Sequence, residues 1–140
     1  MNRDKLKAQL NIDEGRKSRI YVDTVGKITG GVGRNLTDRD FSEDEIDLML
    51  TNDIAMVEGQ LDKALPWWRK MTDARQDALA NMAFNLGIKG LLNFKNTLTF
   101  MQAGKYDAAA QGMMASLWAR QVGRRAARLA EMMRTGEYLK

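Results

Sequence analysis

The chain has 140 residues, of which 44% are hydrophobic and one is proline, and this composition predicts one globular domain with a core of its own. Histidine and cysteine are both absent, which excludes disulfides, ordinary zinc sites and nucleophilic catalysis by Ser-His-Asp or Cys-His groups. Any acid–base chemistry must therefore come from carboxylates, lysine or tyrosine.

The net charge of +4 is concentrated in the second half of the chain. Residues 1–70 carry 12 basic and 13 acidic side chains, whereas residues 71–140 carry ten basic and five acidic ones. A basic half of this kind favours a polyanionic partner: a nucleic acid, an anionic membrane or a bacterial wall. Charge alone does not distinguish among these three.

The first third of the chain predicts a helix followed by a small sheet. Two leucines spaced i, i+4 ahead of Gly15 predict a helix over about residues 3–14. β-Forming residues at 19–22 and 27–29 flank an Asp-Thr-Val-Gly turn and precede three closely spaced glycines. This pattern predicts an antiparallel sheet over about residues 18–36.

From Ser42 onward the pattern is helical. Ser42 and Glu45 form a capping-box pattern, and an apolar stripe then continues to about Ala64, just before Pro66. These features predict a long connecting helix over residues 43–65. Glycines then separate further predicted helices over about residues 73–86, 94–103, 106–115 and 124–134.

The predicted architecture is α+β and mostly α, with a single domain over residues 1–140. It comprises an N-terminal helix and small sheet lobe over residues 1–42, the connecting helix over 43–65 and a helical lobe over 66–140. Trp67 and Trp68 suit either a sugar platform or a packing plug, and their place beside the end of a long helix favours packing. The last helix is expected to bury its alanine and methionine face within the lobe, so we expect no stable membrane insertion.

Two carboxyl groups have the spacing of a candidate catalytic pair. Glu14 ends the first helix, Asp23 lies nine residues later in the hairpin turn, and Thr29 follows on the second strand. The negative end of a helix dipole disfavours a charged carboxylate, so Glu14 is expected to hold its proton while Asp23 stays ionised. Glycoside hydrolysis uses such a pair. Ordinary surface carboxylates near turns produce the same spacing, so spacing alone leaves both interpretations open.

The segments Ile12–Gly15, Tyr21–Gly26 and Thr29–Gly33 resemble the active-site stretch of phage-type lysozymes, glycoside hydrolase family 24, which includes phage endolysins. Members of that family have a catalytic Glu, an Asp nine positions later and a Thr six positions beyond it in a T-x-G-x-G segment. All three spacings match. The resemblance continues at residues 78–87, 94–98, 118–121, 125–128 and 134–136, so it covers nearly the whole chain in order.

The resemblance implies a lysozyme-like fold and an inverting muramidase that hydrolyses the β-1,4 bond between N-acetylmuramic acid and N-acetylglucosamine. Glu14 would be the general acid, with Asp23 and Thr29 holding the attacking water. Arg125 would pair with Glu14, and Asn81 and Gln121 would support the site. Saccharide contacts are implied for Asn35, Phe84, Asn85 and Thr97.

The same resemblance implies a monomer that acts on bacterial peptidoglycan with neither cofactor nor metal. The chain departs from the pattern of the family at two positions. Arg34 stands where the best-known member has a histidine, and Gly112 stands where a polar sugar contact would fall. The short stretch 36–42 indicates that a helix of larger members is missing, which leaves a minimal N-terminal lobe.

Two other classes of function remain open. A lytic transglycosylase needs one essential Glu and no water-activating carboxylate, so the presence of Asp23 and Thr29 argues against it. A non-catalytic basic wall-binding protein, or a nucleic-acid-binding one, would use the arginines at 120, 124, 125 and 128. No nucleic-acid motif accompanies them, so we expect no nucleic-acid partner.

The N-terminal residues carry no apolar run of the kind found in signal peptides and membrane anchors. We therefore expect synthesis in the host cytoplasm. The resemblance then implies passage to the periplasm and cell wall through a holin-type membrane lesion.

Overall fold

In the computed structural model, which describes residues 1–139, the chain divides into two compact units. The first spans Met1–Asp47 and the second begins at Leu48. The first unit contains one helix and a three-stranded antiparallel sheet of order β1-β2-β3, and the long helix α2 begins in it and continues into the second unit. These elements are α1 (Arg3–Asp13), β1 (Lys17–Val22), β2 (Ile28–Gly31), β3 (Arg34–Asn35) and α2 (Glu43–Ala64).

The second unit is helical. Its elements are the 3₁₀ helix Pro66–Lys70, α3 (Asp73–Leu92), α4 (Lys95–Gln102), α5 (Tyr106–Met114), α6 (Leu117–Val122) and α7 (Arg124–Thr135). The predicted α+β class, with helix predominating, is confirmed. Within the range 1–139 we find no helix long and apolar enough to cross a membrane.

Three helical segments were not predicted: the 3₁₀ helix Pro66–Lys70, the part of α3 beyond Gly87, and α6. The helix predicted to end at residue 86 is interrupted at Gly87, whose conformation is non-helical (φ 75°, ψ 159°), and a second helical segment then runs to Leu92. The helix α6 is capped by Ser116, whose side chain accepts a hydrogen bond from the Ala119 N–H at 3.2 Å. A capping serine before a short apolar stretch was the available sequence signal for α6.

The register of the sheet places three side chains on one face. Tyr21 lies opposite Thr29 across β1 and β2, and Thr29 lies opposite Asn35 across β2 and β3. Residues directly opposite one another on neighbouring strands project to the same side of a sheet. Thr29 is therefore on the central strand between Tyr21 and Asn35, and its side chain is buried.

The start of α2 confirms the predicted capping box. The Ser42 N–H donates to Glu45 Oε1 at 2.9 Å, and the Glu45 N–H donates to Ser42 Oγ at 3.3 Å. The same carboxylate forms an ion pair with Arg34, which also donates to the Asp40 carbonyl at 3.0 Å and lies over the Phe41 ring. These contacts join β3 to the first turn of α2 across the short connection.

The apolar core lies in the second unit. Its fully buried side chains include Leu61, Leu79, Met82, Leu91, Met101, Met113 and Met133. Trp68 is buried with them, and its indole N–H donates to Asp62 at 2.7 Å, which agrees with packing rather than with an exposed sugar platform. The predicted inner face of α7 is also confirmed, since Ala126, Leu129, Ala130 and Met133 are buried.

The C-terminal end of α7 is held by Arg75 of α3 and by Thr72, the N-cap residue of α3. Arg75 donates to the carbonyls of Met133 at 2.7 Å and Arg134 at 3.0 Å, and the Thr72 hydroxyl donates to the Gly136 carbonyl at 3.0 Å. Beyond the helix, the Tyr138 hydroxyl donates to the Asp77 carboxylate. This hydrogen bond stabilises the neutral phenol and raises the pKa of Tyr138 to about 12.

We expect a spectrophotometric titration to show one of the three tyrosines ionising near pH 12. Because the folded-state pKa lies above the ordinary value of 10.0, the contribution to stability is complete below pH 10 and is lost as the pH rises through about 12. Asp77→Ala should return the titration towards pH 10. Asp73→Ala, which removes a weaker electrostatic influence, should change it little, and equal shifts in both variants would contradict this assignment.

Candidate active site

Glu14 is presented at the end of α1. It caps the helix with its backbone N–H bonded to the Leu10 carbonyl at 2.9 Å, and its side chain is exposed. The carboxyl group lies against the backbone of Gly33, in the turn between β2 and β3. A Cβ atom built on Gly33 would be 2.6 Å from Glu14 Oε2, so the carboxyl occupies space that only glycine leaves open.

Asp23 organises the turn between β1 and β2. Its Oδ1 accepts hydrogen bonds from the N–H groups of Val25 at 3.0 Å and Lys27 at 2.8 Å, and its own N–H donates to the Lys27 carbonyl at 2.8 Å. The other oxygen, Oδ2, faces the Thr29 hydroxyl at 3.5 Å. One carboxylate oxygen therefore holds the turn while the second is directed to Thr29.

Thr29 is one of two buried polar residues among residues 1–139, with 4% of its surface exposed. Its hydroxyl lies 3.1 Å from the Lys27 carbonyl, a shorter separation than the 3.5 Å to Asp23. Because a hydroxyl has a single proton to donate, donation to the Lys27 carbonyl leaves the Thr29 oxygen free to accept a hydrogen bond from another group. The structure thus brings two members of the predicted catalytic set, Asp23 and Thr29, side by side.

In the second unit, Arg125 is bound to Asn81. Arg125 Nε and Nη2 lie 2.9 and 2.7 Å from Asn81 Oδ1. Both residues line a cavity of about 420 Å³ together with Phe84, whose ring is 46% exposed, and with apolar residues of α2. Asn81 thus orients the guanidinium of Arg125, and the pairing of Arg125 with Glu14 stays a prediction.

Two of the predicted saccharide contacts have structural partners of their own. Asn85 accepts a hydrogen bond from the Trp118 indole N–H at 2.8 Å. Thr97 is buried against Gly112, so closely that a Cβ atom on residue 112 would overlap the Thr97 hydroxyl. This contact explains the departure at Gly112, since a polar side chain there would require Thr97 to move.

Asn35 and Gln121 lie in different environments. The Asn35 side chain accepts from the N–H groups of Thr37 and Asp38 at 3.0 and 3.1 Å, and donates to the Asp38 carboxylate at 2.9 Å. Gln121 is exposed on α6. The roles given to Asn35, Phe84, Asn85, Thr97 and Gln121 stay predictions.

Sequence reasoning did not single out Gly33 as a neighbour of Glu14, or Glu45 as the partner of Arg34. The T-x-G-x-G pattern was the available signal for Gly33. No comparable signal existed for Glu45, whose capping-box role already accounted for its type.

A small three-stranded sheet, a long helix and a helical unit with its own core together define the lysozyme-like α+β class. The family model described as phage lysozyme matches residues 11–134, and the chain belongs to this family. Family membership supports a lysozyme-like function, that of a glycosidase.

Curated relatives are distant. The chain is 24% identical to each of two proteins from Dictyostelium discoideum, probable T4-type lysozyme 1 and probable T4-type lysozyme 2, over 94% of this chain and 94% of each relative. It is also 29% identical to the pre-baseplate central spike protein Gp5 of Enterobacteria phage T4. That alignment covers 91% of this chain but only 27% of the spike protein, so the chain spans about a quarter of that relative.

Proposed function

We propose that the protein is a muramidase that hydrolyses the β-1,4 bond between N-acetylmuramic acid and N-acetylglucosamine in bacterial peptidoglycan. The observation that carries the proposal is the arrangement of Asp23 and Thr29 in a chain of the phage lysozyme family. The carboxylate of Asp23 keeps one oxygen free of the turn, and that oxygen faces a buried hydroxyl.

Glu14 is the general acid of this mechanism. The departing sugar is a poor leaving group unless the glycosidic oxygen is protonated. A protonated carboxyl group supplies that proton. The exposed position of Glu14 at the end of α1 supports this role, because the side chain is accessible to a polymeric substrate.

Asp23 and Thr29 hold the water. A water molecule that donates one hydrogen to Asp23 Oδ2 and the other to the Thr29 oxygen keeps a lone pair for attack on the anomeric carbon. As the new C–O bond forms, one water proton passes to Asp23 while the proton of Glu14 passes to the departing oxygen. The bond to that oxygen breaks in the same step, so charge and protons balance.

The remaining predicted residues are proposed to contact the saccharide or to support the catalytic groups. Asn35 is on the sheet face that carries Thr29, a position that supports its proposed saccharide contact. Phe84 offers an exposed ring beside Arg125, which suits stacking on a sugar. Arg125, whose guanidinium is bound to Asn81 Oδ1, is proposed to pair with Glu14, and Gln121 is proposed to support the site.

We expect the wild-type enzyme to release the α-anomer first from its β-linked substrate. Direct attack by a held water inverts the anomeric centre, and in inverting enzymes the two carboxyl groups lie roughly 6.5–9.5 Å apart. NMR of the products during the first minutes of digestion, before mutarotation, measures the anomer. Initial release of the β-anomer would indicate a covalent intermediate and exclude inversion.

A further inference from the structure

Gly33 contacts Glu14 in a way that no other residue type could. A Cβ atom on residue 33 would lie 2.6 Å from Glu14 Oε2, 2.9 Å from Cδ and 3.0 Å from Cβ, well inside normal packing distances. We propose that Gly33 is a positioning residue whose backbone forms a wall for the Glu14 carboxyl and fixes the direction in which that group presents its proton. The inference rests on the role proposed for Glu14.

The turn that contains Gly33 is held in place on both sides. Gly33 lies between β2 and β3, where Gly30 pairs with Arg34. Arg34 is in turn clamped by its ion pair with Glu45, its hydrogen bond to the Asp40 carbonyl and its contact with the Phe41 ring. A side chain at residue 33 therefore displaces the Glu14 carboxyl more readily than it displaces the turn.

The backbone of Glu14 is also fixed, because its N–H is bonded to the Leu10 carbonyl in the last turn of α1. The movement forced by a side chain at residue 33 falls on the rotatable bonds of the Glu14 side chain. A general acid displaced by about 1 Å loses on the order of 10²-fold in rate. The Gly33 backbone thus affects the chemical step rather than saccharide binding.

Gly31 provides a matched control within the same segment. Gly31 and Gly33 both have φ of +62°, so alanine at either position is placed in the left-handed region that disfavours a side chain. A Cβ atom on Gly31, however, has no heavy atom within 4 Å. The difference between Gly33→Ala and Gly31→Ala therefore isolates the contact with the Glu14 carboxyl.

The first test is spectroscopic and does not require activity. In ¹³C-labelled protein, the Glu14 carboxyl resonance is assigned by its loss in Glu14→Gln. We expect this resonance to move in Gly33→Ala and to keep its wild-type position in Gly31→Ala, with both variants folded by circular dichroism. An unchanged resonance in Gly33→Ala, or equal changes in the two variants, overturns the proposal even if the protein hydrolyses peptidoglycan.

The second test is kinetic. Gly33→Ala should lower kcat on the order of 10²-fold with KM changed by less than about threefold, while Gly31→Ala lowers kcat by no more than about threefold. A Glu14→Asp background removes the contacts at Oε2 and Cδ and keeps only the 3.0 Å approach to Cβ, so Gly33→Ala should there cost less than in the wild type. Equal losses of kcat in both backgrounds, or a rise in KM alone, would overturn the proposed positioning role of Gly33. If the carboxyl resonance shifts selectively but the protein does not hydrolyse peptidoglycan, the proposed function would be overturned and the contact between Gly33 and Glu14 retained.

Discussion

Glu14→Gln is expected to abolish wall hydrolysis while leaving the fold intact. Glutamine keeps the size of the side chain and its place against Gly33, but it has no acidic proton to give to the glycosidic oxygen. General acid catalysis contributes roughly 10²–10⁴-fold, so residual activity should be below about 1%. The measurement is the fall in turbidity of outer-membrane-permeabilised Gram-negative cells.

Asp13→Asn is the matched control for this variant. Asp13 is the last residue of α1, exposed and adjacent to Glu14, so the control replaces a carboxyl by an amide at the same helix end. It should retain activity within a few-fold of wild type, and both variants should unfold at the wild-type urea concentration. Near-normal lysis by Glu14→Gln would remove the general acid from the mechanism.

Asp23→Asn and Asp23→Ala should both be severely impaired, by on the order of 10²-fold or more, since neither can accept the proton of the attacking water. The two variants differ in what they do to the turn. Asparagine still offers an oxygen to the N–H groups of Val25 and Lys27, whereas alanine removes the acceptor of both bonds. We therefore expect Asp23→Ala to lose about 1–2 kcal/mol of unfolding free energy and Asp23→Asn to lose less.

Asp23→Glu completes this series, because its carboxylate can still orient water from a longer side chain, and we expect a milder loss than with alanine. Initial rates on purified wall and urea unfolding separate the catalytic and structural effects. If Asp23→Ala retained near-wild-type activity, the chemistry would need no water-activating carboxylate, and the interpretation would move to a transglycosylase.

Elements governed by local sequence were predictable. The helix α1, the hairpin around Asp23 and the capping box of α2 depend on residues within a few positions of one another, and each forms as expected. The break at Gly87 also followed from the local rule that a glycine inside a helical pattern ends the helix, but the helical segment beyond it did not. Here the chain turns at Gly87 and resumes its helical course as far as Leu92.

The candidate site shows the same limit. The proximity of Asp23 and Thr29 follows from a short hairpin, so spacing predicted it. The contact of Gly33 with Glu14 joins a strand turn to a helix end, and the bond between Asn85 and Trp118 joins residues 33 positions apart. Such contacts depend on packing of whole elements, which no local pattern encodes.

Product analysis of digested wall tests the central claim most directly. Purified peptidoglycan is digested with the wild-type protein and with Glu14→Gln, reduced with borohydride and analysed by mass spectrometry. We predict that the wild type alone creates new glycan ends and that these ends are reduced N-acetylmuramic acid. Ends of 1,6-anhydro-N-acetylmuramic acid, or of reduced N-acetylglucosamine, would contradict hydrolysis of the proposed bond.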